Sequence, residues 1–192
     1  MNLPTKLTLL RFLLTFVIMG LLFVPGALAK GLCLILFLLG MASDWWDGHL
    51  ARRLHQVTPL GILLDPIADK ALVIGMLLAF VQLGLIRAWM LLVVVMRELL
   101  ITGVRLYAVS RHVVIPAAQE GKHKTVSQMV TITLILALLV IRASLSGPSV
   151  QRFDHWMAPV VLACMWVTVV LTVISGASFF WRNRGVLADA SR

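Results

Sequence analysis

Six long apolar segments constrain the fold of this chain more than any other feature of its sequence. They run from Thr8 to Val24, Ala27 to Ala51, Leu60 to Leu83, Ala88 to Val109, Lys124 to Leu145 and His155 to Trp181. Only 13% of the 192 residues are charged, against about 25% in a soluble domain. Several segments reach the roughly 20 residues that a helix needs to cross a bilayer. We therefore expect an all-α integral membrane protein, with six transmembrane helices in a single domain over residues 1–192.

The start of the chain also imitates a secretory signal peptide. Lys6 precedes an apolar stretch, and Ala27-Leu28-Ala29 resembles a cleavage site. We expect a retained first helix, which spans the bilayer or lies partly along its interface.

The basic residues predict the orientation of these helices. The chain has 17 lysines and arginines against 8 acidic residues. With six spans, both termini lie on the same side of the membrane as the second and fourth connections. The basic residues of that side are Lys6, Arg11, Arg52, Arg53, Arg111, Lys122, Lys124, Arg182, Arg184 and Arg192. The other side carries Lys30, Arg87, Arg142 and Arg152. Because cytoplasmic loops are enriched in lysine and arginine, we expect cytoplasmic termini. Nucleic-acid binding is not expected, since no separate basic domain exists.

Half of the acidic residues crowd into the stretch from residue 44 to residue 69, called here the aspartate segment. They are Asp44, Asp47, Asp65 and Asp69. An ionised carboxylate that faces lipid costs on the order of 2.5–3.5 kcal/mol, so these four need partners. Divalent cations are natural partners for clustered carboxylates, and all-oxygen ligands favour Mg²⁺, Mn²⁺ or Ca²⁺.

Helical spacing gathers the aspartate segment onto two faces. On the first helix, positions i, i+3, i+4, i+7 and i+8 are Asp44, Asp47, Gly48, Ala51 and Arg52. On the next helix, positions i, i+4 and i+8 are Gly61, Asp65 and Asp69. The small residues leave room for a ligand beside metal ions. Two alternatives remain open: structural ion pairs with Arg52, Arg53 and Lys70, and a proton or cation pathway.

The same residues carry a resemblance. Asp44-Trp-Trp-Asp47-Gly48-His-Leu-Ala51-Arg52, followed after eight residues by Gly61, after three by Asp65 and after three by Asp69, resembles the signature of the CDP-alcohol phosphatidyltransferase family. This resemblance implies a six-helix membrane fold, a homodimer, and a site open to the cytoplasm. It also implies an enzyme in which an alcohol hydroxyl displaces CMP from a CDP-linked donor.

The resemblance implies a role for each motif residue. The four aspartates would bind two divalent metal ions, Mg²⁺ or Mn²⁺, and Asp69 would also be the general base. The donor, CDP-diacylglycerol, would be bound by Gly48, Ala51, Arg52, Gly61 and Thr8.

The rest of the chain resembles the bacterial phosphatidylglycerophosphate synthase branch of that family, through Asn2–Arg11, Asp65–Lys70, Met96-Arg97-Glu98 and Gly121–Thr125. This branch implies the bacterial inner membrane and glycerol 3-phosphate as acceptor. Its phosphate would be held by Arg97, Arg105, Lys122 and Lys124, because arginine forks suit phosphate oxygens. Alternatives are ion pairing of Arg97 with Glu98 and lysines that only follow the positive-inside rule. Another acceptor is also open, either phosphatidylglycerol, as in a cardiolipin synthase, or inositol phosphate. A cation-coupled transporter is a remote alternative.

Overall fold

The six apolar segments correspond to six α-helices. The structure, a computed structural model, describes the backbone of residues 3–54, 59–111 and 119–184, and the side chains of residues 10–42, 70–111 and 124–184. In these ranges the helices are α1 (Leu3–Phe23), α2 (Ala27–Leu54), α3 (Pro59–Gln82), α4 (Ala88–Ser110), α5 (Gln119–Ser144) and α6 (Pro148–Arg182), and no strand is present. The all-helical prediction is therefore confirmed.

Local turn chemistry sets the helix boundaries. Gly147 has φ +63° immediately before α6, a left-handed conformation that favours glycine. Pro148 then occupies the first turn of α6, where its missing N–H costs nothing. The helix consequently begins at Pro148 rather than at His155, since the apolar pattern alone does not register the polar first turns of α6.

The helices form a closed ring. Along it, α1 packs against α3, α3 against α4, α4 against α6, α6 against α5, α5 against α2, and α2 against α1; α3 also contacts α5. Large apolar side chains fill the interior, among them Phe37, Phe80, Met76, Met90 and Met165. The ring order places helices distant in sequence around one interior space.

Polar contacts join α5 to α6. The hydroxyls of Thr131 on α5 and Thr168 on α6 lie 2.8 Å apart, and within α6 Thr172 Oγ1 donates to the Thr168 carbonyl at 2.7 Å. All three residues are buried. Small residues with hydroxyl groups are typical of helix interfaces in membranes, where they permit close approach and bond across the interface.

The exterior of the ring is apolar. Leu28 is 87% exposed and Phe16 is 71% exposed, which a water-facing surface would not favour over such a wide area. Within the described ranges, Lys124–Ser144 and Pro148–Arg182 are long and apolar enough to cross a membrane, while Leu10–Phe23, Ala27–Ala42 and Lys70–Gln82 are shorter apolar stretches. These features are those of a membrane protein.

Candidate active site

A cavity of about 490 Å³ lies inside the ring. Five helices, α1 to α5, contribute to its wall. On α2 the wall includes Met41, and on α3 it includes Lys70. Met41 lies three residues before the aspartate segment and Lys70 directly after it, so the cavity lies beside the segment expected to hold the donor.

The charged lining of this cavity is strongly basic. Among the described residues, its ionisable side chains are Arg11, Lys70, Glu98, Arg105 and Lys124. Four cations face one carboxylate, and we call this the basic cavity. A pocket with such an excess of positive charge favours an anionic ligand, since field lines are focused in a low-dielectric cleft.

Glu98 forms salt bridges with three cations, one each from α3, α4 and α5. Its carboxylate accepts a hydrogen bond from Lys124 Nζ on α5, and Arg97 Nη1 lies 3.0 Å from Oε1. Lys70 Nζ on α3 lies 4.0 Å from Oε2 and also donates to Thr102 Oγ1 on α4. Glu98 is only 8% exposed and Lys124 is buried, so this ion pair is shielded from solvent.

Arg105 differs from these cations. Within the part of the chain whose side chains are described, it forms no ion pair, and its buried Nε has no hydrogen-bond partner. Its guanidinium carbon lies 5.8 Å from the ring centroid of Phe179 on α6, within the range of a cation–π contact. Arg105 therefore brings to the cavity wall a positive charge that no acid among the described side chains neutralises.

The Arg97 side chain points away from the basic cavity, toward α6. Its Nη2 donates to Ser175 Oγ on α6 at 2.5 Å, while Nη1 binds Glu98. The adjacent Gly176 leaves space for this side chain, because a Cβ there would lie 3.3 Å from Arg97 Cγ. Arg97 is not among the residues that line the cavity, and it joins α4 to α6.

Comparison with known proteins identifies the family. The model of the CDP-alcohol phosphatidyltransferase family matches residues 1–174. The chain belongs to the CDP-alcohol phosphatidyltransferase family.

Curated relatives cover nearly the whole chain. A Bacillus subtilis protein named CDP-diacylglycerol–glycerol-3-phosphate 3-phosphatidyltransferase is 36% identical over 95% of both chains. A Rickettsia typhi protein of the same name is 31% identical over 93% of this chain and 95% of its own. A Mycobacterium tuberculosis protein named probable phosphatidylglycerophosphate synthase is 37% identical over 94% of this chain and 81% of its own. The resemblance seen in the sequence is confirmed, and the transporter alternative loses its support because this family consists of transferases.

The family motif itself falls on α2 and α3. Asp44, Asp47, Gly48, Ala51 and Arg52 lie within the bounds of α2, and Gly61, Asp65 and Asp69 lie within those of α3. Their side chains are outside the described residues, as are those of Thr8 and Lys122. Among the side chains that are described, no group of three histidine, cysteine, aspartate or glutamate residues gathers as a metal site.

CDP-alcohol phosphatidyltransferases are generally dependent on divalent metals. The donor set of this chain suits that requirement, because four carboxylates supply the oxygen ligands that Mg²⁺ and Mn²⁺ prefer. Their spacing of three and four residues within α2 and α3 keeps each pair on one helical face.

The structure brings two of the four predicted acceptor residues, Arg105 and Lys124, to the basic cavity. Sequence reasoning did not give Arg11 a place in this cavity, and it considered Glu98 only as a partner of Arg97. A usable signal for Glu98 existed, since a lone carboxylate within an apolar segment such as α4 requires a cation nearby.

Proposed function

We propose that this CDP-alcohol phosphatidyltransferase transfers the phosphatidyl group of CDP-diacylglycerol to glycerol 3-phosphate. The products are phosphatidylglycerophosphate and CMP, so the enzyme acts in phospholipid biosynthesis. The observation that carries this proposal is the basic cavity beside the family motif, with Arg105 unpaired among the described acids. The names of the Bacillus and Rickettsia relatives support the same acceptor.

The charge of the cavity favours a phosphorylated acceptor. A phosphate monoester carries close to two negative charges at neutral pH, and Arg105 offers a planar fork of donors that matches phosphate oxygens. Lys124 adds an ammonium group from α5. An uncharged acceptor such as inositol or glycerol would leave Arg105 without a counterion among the described residues, at a cost in desolvation.

The motif supplies the donor side of the reaction. We assign Asp44, Asp47, Asp65 and Asp69 to two divalent metal ions, and Gly48, Ala51, Arg52, Gly61 and Thr8 to CDP-diacylglycerol. When bound, such ions polarise the diphosphate and stabilise the charge of the leaving group. Lys70, which directly follows Asp69, connects this region to the basic cavity.

The chemistry is a displacement at phosphorus. The acceptor hydroxyl oxygen forms a bond to the phosphorus that carries diacylglycerol, and the bond from that phosphorus to the oxygen of CMP breaks. CMP leaves with the electron pair, and Asp69 takes the hydroxyl proton as general base. Arg105 and Lys124 orient the acceptor by its phosphate, with Lys122 at the start of α5 as a further acceptor residue. Arg97 supports them indirectly, because it holds the Glu98 carboxylate.

We extend the proposal to the membrane. All six helices have 21 or more residues, enough for about 30 Å of hydrocarbon at 1.5 Å per residue. Six transmembrane helices with cytoplasmic termini would direct the basic cavity toward the cytoplasm of a bacterial inner membrane. A homodimer follows from the family resemblance, and light scattering of the detergent complex would test it.

The decisive experiment is an acceptor screen. Purified protein in detergent receives CDP-diacylglycerol and Mg²⁺ or Mn²⁺, with one of glycerol 3-phosphate, inositol phosphate, inositol, serine or phosphatidylglycerol, and CMP release is measured. We expect release with glycerol 3-phosphate. Release only with inositol phosphate would keep the role of the basic cavity and change the acceptor, whereas release only with phosphatidylglycerol would refute that role.

A further inference from the structure

We propose that Glu98 is a positioning residue, which fixes Lys70 and Lys124, two of the cations of the basic cavity, in the arrangement that receives the acceptor phosphate. This inference rests on the proposed function. Glu98 is a negatively charged residue in a site for a negatively charged ligand. Charge repulsion alone would predict that it weakens binding of the acceptor, whereas a positioning role predicts that it strengthens binding.

The geometry shows one carboxylate that ties three helices together. Lys124 on α5 donates to Glu98, and Lys70 on α3 lies 4.0 Å from its second oxygen. Lys70 is further held by Thr102, one helical turn after Glu98 on α4. Both lysines line the cavity, so their ammonium groups are anchored to α4 at one wall.

Anchoring matters because lysine is flexible. A lysine side chain loses up to about 2 kcal/mol of rotamer entropy when it is ordered, and a bound ligand must supply that ordering if the protein does not. Lys124 is only 3% exposed, and a buried ammonium group without a partner is strongly unfavourable. Glu98 meets both needs before the acceptor arrives, which is preorganisation of the binding site.

Arg105 completes the arrangement. It lies seven residues after Glu98 on the same helix, nearly two full turns, so both side chains leave the same face of α4. Glu98 does not pair with Arg105. The carboxylate therefore holds the two lysines while the arginine keeps its charge for the ligand.

Two variants separate positioning from a simple countercharge effect. Glu98→Asp keeps the charge but withdraws the carboxylate by one methylene, and Glu98→Gln removes the charge. If Glu98 positions the lysines, both variants raise the KM for glycerol 3-phosphate, by about tenfold for Glu98→Gln, the equivalent of one charge-assisted hydrogen bond. The KM for CDP-diacylglycerol stays within about twofold, because that ligand is held by other residues.

The opposite results would overturn the proposal. A countercharge alone predicts an unchanged KM for glycerol 3-phosphate in Glu98→Asp and a lower one in Glu98→Gln, since the cavity becomes more positive. Asp154→Asn is the matched control, because Asp154 also sits in an ion pair, with Arg142 at 2.6 Å, but outside the cavity. It should leave both KM values unchanged.

Glu98→Gln takes away the carboxylate partner of Lys124, which can impair folding. A double-mutant cycle controls for this effect. The double variant Glu98→Gln/Lys124→Gln removes both partners, and we compare it with Lys124→Gln alone. Equal KM values for glycerol 3-phosphate would show that Glu98 acts through Lys124 alone, and a further rise in the double variant would measure its action through Lys70. A lower KM in the double variant would refute the positioning role.

The experiment also distinguishes the two proposals. If the wild-type protein releases no CMP with glycerol 3-phosphate, the proposed function fails. Inorganic phosphate then serves as probe, through its stabilisation of the protein against heat. Stabilisation of the wild type but not of Glu98→Asp would support the positioning role, and equal or absent stabilisation would overturn it.

Discussion

The packing of Gly75 on α3 against α1 gives a quantitative test of the fold around the cavity. A Cβ added to Gly75 on α3 would lie 2.7 Å from Thr15 Cγ2 and 3.3 Å from Met19 Sδ on α1, whereas carbon atoms pack at 3.5–4.0 Å. Thr15 is buried and its Oγ1 donates to the Arg11 carbonyl at 2.9 Å. This hydrogen bond holds the side chain in its rotamer, so the methyl group moves away only if the bond is broken.

The cost of Gly75→Ala follows from this contact. Overpacking of a tight interface costs about 1–3 kcal/mol, and a fixed neighbour places this site at the upper end. Alanine regains about 1 kcal/mol of helix propensity over glycine, so we expect a net loss of about 2 kcal/mol. For a chain of this size the melting temperature should fall by about 4–8 °C.

Thermal unfolding in detergent, followed by tryptophan fluorescence, measures this loss. Gly103→Ala is the control, since a Cβ at that position of α4 meets nothing within 4 Å, and its melting temperature should not fall. Adding Thr15→Ser to Gly75→Ala removes the obstructing methyl and keeps the hydroxyl, so most of the stability should return. A Gly75→Ala protein as stable as the wild type, or a double variant no better than Gly75→Ala, would refute the reasoning.

Three further predictions concern catalysis. Arg105→Ala should raise the KM for glycerol 3-phosphate about a hundredfold, the loss of two charge-assisted hydrogen bonds at about 1.4 kcal/mol each; an unchanged KM would remove Arg105 from the acceptor site. Asp69→Asn should abolish CMP release while equilibrium binding of CDP-diacylglycerol remains, and normal turnover would overturn its role as general base. Removal of divalent cations with EDTA should stop CMP release, and Mg²⁺ or Mn²⁺ should restore it; activity that persists in EDTA would contradict the assignment of the aspartates.

The helices could be predicted from the sequence because their signals are local. Each apolar segment is bounded by residues such as Gly84 and Gly147, which adopt positive φ at the turns. Boundaries are less exact where polar residues fill the first turns of a helix, as after Gln119 in α5 and after Pro148 in α6. Hydropathy reports which residues avoid water and does not report where a helical hydrogen-bond pattern starts.

The acceptor site could be predicted only in part. Arg105 and Lys124 stand out as cations in or beside apolar segments, and the structure places both at the cavity. The same argument selected Arg97, whose side chain instead joins Glu98 to Ser175 on α6. Helical periodicity gives the direction of a side chain around its own helix, but the neighbouring helix decides what it meets.

The sequence by itself determined the helical membrane architecture, the aspartate motif and the family, because these depend on composition and on spacing along one or two helices. The tertiary structure alone decided which cations share the basic cavity and that Glu98 connects α3, α4 and α5. Residues 70, 98 and 124 are far apart in the chain, and their side chains meet only because α3 packs against α4 and also contacts α5 across the ring. Such contacts depend on packing between helices, which no local pattern encodes.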